Sequence, residues 1–264
     1  LNDSPLCGEG FFLRNLLRRY PREKTWLVGL CSIDADMLNI VDESGRSLAG
    51  PPDGRKPGAI WDVAAKASKL GGGHWCCSSS QHVYVREDSI WANPYRIRWE
   101  DMKRHWNRPE VDLVQPYVKV FLETGAVEPA SDALDVPPVV QTGDDWSESL
   151  SREEWTRVAA FIRKFEIIQD RIDFIEFVVG RESRKIALRT GGQLTKLSRG
   201  IIFQVPRQPL LDTVEYGYFD DLLIGNFMKT RLVHSRLYPD FSKQVAKLGG
   251  NAKVFTKKQH REFQ

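Results

Sequence analysis

Apolar and polar positions recur along this chain with several periods, and each period predicts a different element. In residues 11–20, Phe12, Leu13, Leu16, Leu17 and Tyr20 share one broad side, the spacing of a short helix, which Pro21 stops. Thr25 to Ile33 is a continuous apolar run of the kind found in a strand at the centre of a parallel sheet. The Gly- and Pro-rich stretch 44–58, SGRSLAGPPDGRKPG, predicts a loop. Residues 59–70 predict a helix ended by Gly71-Gly72-Gly73, and Gln81 to Arg86 a strand. Trp99 to Trp106 and Val111 to Leu122 predict two further helices.

Periodicity lapses over 123–150, which holds EPASDALDVPP and then an acidic, Ser-bearing stretch. Beyond it Trp155, Val158, Ile162, Phe165, Ile168, Ile172, Ile175 and Val179 are spaced 3, 4, 3, 3, 4, 3 and 4. That heptad-like seam predicts one helix of about 40 Å at 1.5 Å per residue. A Gly-Gly hinge and the apolar run Ile201 to Val205 follow. The expected organisation is an α/β domain over 1–130 built on a parallel sheet, a linker over 131–150, and a mostly helical, basic α+β domain over 151–264.

Composition adds bounds. A chain of 264 residues, 41% hydrophobic and 28% charged, has room for one large or two modest cores and is not disordered in bulk. No apolar run reaches the ~18 residues of a membrane span. The opening LNDSPLCGEG lacks the positive start and apolar core of a signal peptide. The chain has no initiator Met and stops at Gln264 in a basic, helix-like stretch, so it reads as a fragment of a larger protein. Of its four cysteines Cys76 and Cys77 are adjacent, a poor layout for a disulfide framework. Free thiols and an intracellular location, cytoplasmic or nuclear, are expected, with no membrane partner.

Candidate chemistry centres on WLVGLCSIDADML, an apolar strand running into Asp34-Ala35-Asp36. Extended geometry puts Asp34 and Asp36 on one side of the chain. The end of a strand in an open α/β sheet faces the ligand crevice, and paired carboxylates there suit Mg²⁺ or Mn²⁺. A strand-end turn or a helix N-cap uses Asp in the same pattern. Gly8-Glu9-Gly10 precedes the first helix, which feeds the strand and can bring Glu9 towards the aspartates.

GEG at 8–10 followed by IDADML at 33–38, with 25 residues from Glu9 to Asp34, resembles the acidic motifs of the Xrn-type 5′→3′ exoribonucleases and flap endonucleases. The stretch VKVFLETGAVEP (118–129) is similar to a later family segment, an apolar helix running into a Gly-containing loop. The resemblance covers residues 8–130. It implies a 5′-nuclease-like core, divalent-metal-dependent phosphodiester hydrolysis on RNA or DNA, and Glu9, Asp34 and Asp36 as catalytic metal ligands. The chain departs from the pattern at Phe11, where the Xrn motif has a second glutamate, and at Gly125-Ala126-Val127, where the family has a further aspartate. The family's first aspartate belongs on a strand about a hundred residues upstream.

Two alternatives stay open: a non-catalytic nucleic-acid-binding or assembly module, and a nucleotide-sugar glycosyltransferase, whose metal site is also marked by D-x-D. Residues 181–200 carry six Lys/Arg and one Glu, and 243–264 a similar excess. Arg184, Lys185, Arg189 and Lys196 are the expected contacts to a nucleic-acid backbone, or else part of a solvated face. The expected partners are nucleic acid and either the preceding part of the protein or another chain. Three further patterns are less specific: His74, Cys76, Cys77 and His82 as a zinc site, Arg98 with His105 as a ribonuclease pair, and Gly143-Asp144-Asp145 as a polymerase tripeptide.

Overall fold

The computed structural model describes residues 13, 15–30, 38–48, 56–79, 83–130, 140–188 and 198–263. The chain is mixed α/β and forms two compact units. The first takes residues 1–35, 51–85 and 90–140, and the second takes 36–50, 86–89 and 141–264. A linear partition at 130 and 151 assigns 36–50 and 86–89 to the first domain, whereas their contacts belong to the second.

In the first unit β1 (Trp26–Leu30), β3 (His74–Ser79) and β4 (Asp112–Val114) form a parallel sheet in the order β1-β3-β4. Its rows are Trp26↔His74↔Asp112, Leu27↔Trp75↔Leu113 and Val28↔Cys76↔Val114. The second strand of the chain, β2 (Ile40–Val41), belongs to the other unit. Helix α1 (Lys56–Leu70) leads into β3 and stops where Gly71 turns to a φ of 85°, a left-handed cap that glycine adopts without strain. Helix α2 (Trp99–His105) leads from β3 towards β4. Leu27, Trp75, Cys77, Ile60, Val63, Ala67 and Met102 share the core.

Among the described residues β1 lies at the sheet's edge rather than its centre, and Val28 is 51% exposed. An apolar run fits an edge strand equally well when one face stays open, because hydrophobic sequence does not report how many faces are covered. The expected helix over 111–122 is absent. Residues 112–114 are β4, and β5 (Val118–Phe121) pairs antiparallel with β6 (Ala126–Pro129). Pro116 cannot donate in a helix interior, and Tyr117 and Gly125 at φ 59° and 72° are turn conformations. The segment likened to a family helix is therefore a hairpin.

The second unit is built on a five-stranded mixed sheet in the order β2-β10-β9-β7-β8, with β7 (Phe174–Val179), β8 (Glu182–Ala187), β9 (Gly200–Gln204) and β10 (Lys229–Val233). Strand β9 runs parallel to β7 and antiparallel to β10. Helix α3 (Arg152–Arg163) starts at Ser151, whose hydroxyl accepts from Glu154 N while the Glu154 carboxylate accepts from Ser151 N. It packs on α4 (Arg207–Tyr216), which precedes the short α5 (Asp220–Ile224). A π-helical stretch (Lys243–Asn251) and α6 (Lys257–Phe263) close the unit. Phe177, Phe203, Phe219 and Phe241 form its aromatic centre, with ring centroids 5.2–6.4 Å apart.

The single long helix over 155–179 is overturned. Helix α3 ends at Arg163, a 3₁₀ turn covers Glu166–Ile168, and residues 174–179 are a buried strand. FIEFVV is wholly β-branched and aromatic apart from Glu176, and such side chains fit a pleated surface. Its apolar residues continue the 3-4 spacing by coincidence, because every second position is also apolar. The second unit is consequently sheet-centred rather than mostly helical.

Candidate functional site

Strand β1 fixes where the candidate acidic site begins. It runs parallel to β3 and β4, so the chain leaves Leu30 at the sheet's carboxyl edge, four residues before Asp34. Open α/β sheets bind ligands at that edge. The register slips there: Gly29 faces Cys77 and Leu30 faces Ser79, leaving one extra residue on β3. Bulges of this kind cluster beside functional sites, where they redirect the chain. Gly29 is needed in its place, since a Cβ would stand 2.6 Å from the Trp75 indole ring. Glu9, Asp34 and Asp36 themselves lie outside the described residues. Among the described residues no group of three His, Cys, Asp or Glu side chains is arranged to hold a metal.

At the opposite, amino edge His74 is tied down. Its ring stacks on Trp26 at 4.0 Å, Nε2 lies 2.9 Å from the Glu23 carbonyl oxygen, and Nδ1 lies 3.2 Å from an Asp112 carboxylate oxygen. Both ring nitrogens face oxygens, so neither is left for zinc. The rest of the weighed zinc set does not join it: Cys76 is a free thiol raised above its ordinary pKa by burial, His82 lies outside the described residues, and Cys77 is disulfide-bonded. The expectation of four free thiols thus fails at Cys77. Adjacent cysteines on a strand point to opposite faces, so Cys76 and Cys77 have separate environments. Spacing alone does not reveal them.

Arg98 and His105 stand at the two ends of α2, Arg98 as N-cap and His105 as last residue. Seven residues of helix separate them by about 10 Å, too far to act on one phosphate. Asp144 of the GDD tripeptide accepts from Arg86 Nη2 in the second unit. Arg86 also lies 3.6 Å from Asp88 through Nε and packs its guanidinium 4.2 Å from the Phe227 ring centroid. An Arg clamped between two aspartates over an aromatic face is a fixed cross-link, and it accounts for Asp144 without catalysis.

The expected phosphate contacts divide. Arg189 and Lys196 lie outside the described residues. Arg184 and Lys185 are neighbours on β8, so their side chains leave opposite faces of the sheet. Arg184 lies over Trp155 at 4.9 Å and 3.5 Å from Glu182, while Lys185 lies over Phe174 at 4.3 Å and 3.5 Å from Glu176. The two do not share one surface, and each is already engaged with an aromatic face and a carboxylate.

Sequence reading also passed over Asp173, which enters β7. It is 8% exposed and accepts from Arg199 N at 3.0 Å and Arg199 Nη2 at 3.2 Å, with Ser198 N at 3.4 Å. Burial pushes its carboxyl up, but the Arg199 and Ser198 hydrogen bonds and the Arg199 charge outweigh that and leave it below the ordinary aspartate value. It joins the entry of β7 to the entry of β9, a structural role. No helix among the described residues is long and apolar enough to cross a membrane. The chain matches no protein-family model, no curated protein and no solved structure.

Proposed function

We propose that residues 8–130 carry a 5′-nuclease-like core whose acidic motif, Glu9, Asp34 and Asp36, holds Mg²⁺ or Mn²⁺ for phosphodiester hydrolysis on RNA or DNA. The observation that carries this reading is the path of β1, a parallel strand that ends with a register slip at the carboxyl edge, just before Asp34-Ala35-Asp36. The donor chemistry fits: three carboxylates offer the hard oxygen ligands these ions take, with water completing the shell. When bound, such an ion polarises a phosphoryl oxygen and lowers the pKa of a bound water. Asp34 and Asp36, one residue apart in sequence, would supply two carboxylates to such an ion and Glu9 a third. Two-ion cleavage uses a denser carboxylate cluster, so one bound ion and little or no cleavage are expected of this chain alone.

The decisive measurement is Mn²⁺ binding, followed by the electron paramagnetic resonance of the free ion, for the parent and for Asp34→Ala with Asp36→Ala. The parent should bind one equivalent that the double variant loses. Labelled single- and double-stranded RNA and DNA then report any cleavage, which should vanish in the same variant. Mn²⁺ binding that is absent, or unchanged by the substitutions, sinks the reading.

A further inference from the structure

Residues 90–108, IWANPYRIRWEDMKRHWNR, interleave aromatic and basic side chains: Trp91, Tyr95, Trp99 and Trp106 with Arg96, Arg98, Lys103, Arg104 and Arg108. The segment is held from beneath. Ala92, Ile97 and Met102 are buried at 2%, 7% and 0% exposure and anchor a 3₁₀ helix (Ile90–Tyr95) and α2 to the first unit. Asn93 fixes the 3₁₀ helix from the side, accepting from Tyr84 N at 2.9 Å and donating to Tyr84 O at 2.8 Å. That anchoring leaves Trp91 43% exposed, with its ring edge-to-face against Tyr95 at 6.2 Å. An indole held in place and still open to solvent is a preformed stacking face.

Charge accompanies it. Arg96 follows Tyr95 directly, and burial and then the neighbouring Arg98 charge pull its pKa below the ordinary arginine value. Arg98, two residues on, is exposed at the N-cap of α2. The only acids in the segment are Glu100 and Asp101, and the Asp101 carboxylate accepts from Arg98 N at 3.0 Å as part of the α2 cap. Lys103 lies 5.8 Å from the Trp99 ring centroid, adding a second cation beside an indole.

We propose that this segment docks a single-stranded nucleic acid, with Trp91 backed by Tyr95 stacking on an unpaired base and Arg96 and Arg98 meeting the flanking phosphates. Aromatic faces and cations tracking a backbone are the two components of strand binding without sequence preference. A duplex keeps its bases stacked on one another and presents no such face. A protein partner fits less well, because the segment sets five Lys/Arg against two acids. The proposal deepens the nuclease reading by naming its strand class, and it rests on that reading for context while using none of its acidic residues.

The test uses the whole chain in EDTA, which removes divalent ions and so separates strand binding from the metal site. Fluorescence anisotropy of a labelled twelve-nucleotide oligouridine and of a duplex of equal length is followed across a KCl series. The single strand should bind more tightly than the duplex. Trp91→Ala should weaken it about five- to hundredfold, the range of one lost base stack, and Trp91→Phe should restore most of the affinity. Arg96→Gln with Arg98→Gln should reduce the slope of log K against log salt by about 1.4, at about 0.7 per lost contact to a single strand. If Trp91→Ala does not fold, as judged by circular dichroism, the Phe variant and the arginine pair carry the test. Equal affinity for the duplex, parent-like binding by all variants, or no binding to either oligonucleotide overturns the proposal. Any of these leaves the Mn²⁺ measurement standing on its own.

Discussion

The two sheets of this protein solve the same packing problem differently. In the five-stranded sheet, Phe177 and Phe203 are cross-strand neighbours with no exposure, and Phe219 and Phe241 close over them. The three-stranded sheet has a smaller core of Leu27, Trp75, Ile60 and Met102, and its unit leaves Val28, Trp61, Trp91 and Phe121 between 42% and 51% exposed. Both sheets place a glycine where an aromatic ring crosses the strand, Gly29 under Trp75 and Gly200 under Phe174. The shared device shows that close ring packing is needed in each. Both units leave large apolar side chains exposed, Tyr216, Tyr238 and Phe263 among them in the second. The larger core lies in one unit and the strand that leads towards Asp34 in the other.

Core truncations should separate the two most strongly. Phe203→Ala should cost about 3–5 kcal/mol and Met102→Ala about 2–5 kcal/mol, measured by denaturant unfolding. Hydrogen exchange should show the first loss of protection in the amides of the truncated unit. Equal loss in both units from either variant would break the comparison.

The glycines come next. Gly200→Ala and Gly29→Ala should each cost about 1–3 kcal/mol by overpacking, and trimming the ring with Phe174→Leu should offset the first. If Gly200→Ala is neutral, the ring has room to shift and the parallel with Gly29 fails.

Asp173 sharpens the comparison through pH. Its carboxyl is lowered in the folded state, so its contribution is complete above the unfolded aspartate pKa of about 3.9. That contribution is lost as pH falls through the lower folded value. Asp173→Asn should cost about 1–3 kcal/mol at neutral pH and less at acid pH, read from urea midpoints across a pH series. A cost independent of pH would assign the loss to geometry rather than charge.

The smallest effect is expected at Arg184. Its ion pair and its contact over Trp155 are half-exposed, so Arg184→Ala should change stability by at most about 1 kcal/mol. It should also leave the affinity for a single strand unchanged, in contrast to the Arg96 and Arg98 substitutions. A salt slope that falls with Arg184→Ala would move the nucleic-acid surface back to the five-stranded sheet.

Local signals were legible wherever the physics is local. The strand from Trp26, the helix that Gly71 stops, the helix from Trp99 and the buried run at Ile201 to Val205 are each set by a few adjacent residues, and each is in the structure. Ser151 and Glu154 likewise mark the start of α3 within four residues. Residues 174–179 and 112–121 could not be settled that way. Apolar residues there satisfy both helical and strand spacing, and pairing with Ile201–Phe203 or Ala126–Pro129 decides for strand.

Of the candidate site, residue types were legible and grouping was not. D-x-D after an apolar strand can be read from the chain, but that β1 is an edge strand of a parallel sheet among the described residues depends on β3 and β4, nearly fifty and more than eighty residues away. Arg184 and Lys185 look like one patch when written in a line, and strand geometry sends them to opposite faces. The membership of 36–50 in the second unit, through Leu38 N donating to Asn226 and β2 pairing with β10, is likewise a contact across nearly two hundred residues. Caps, turns and apolar runs are fixed by neighbours in sequence. Register, face and partnership are fixed by neighbours in space, and only the folded chain supplies those.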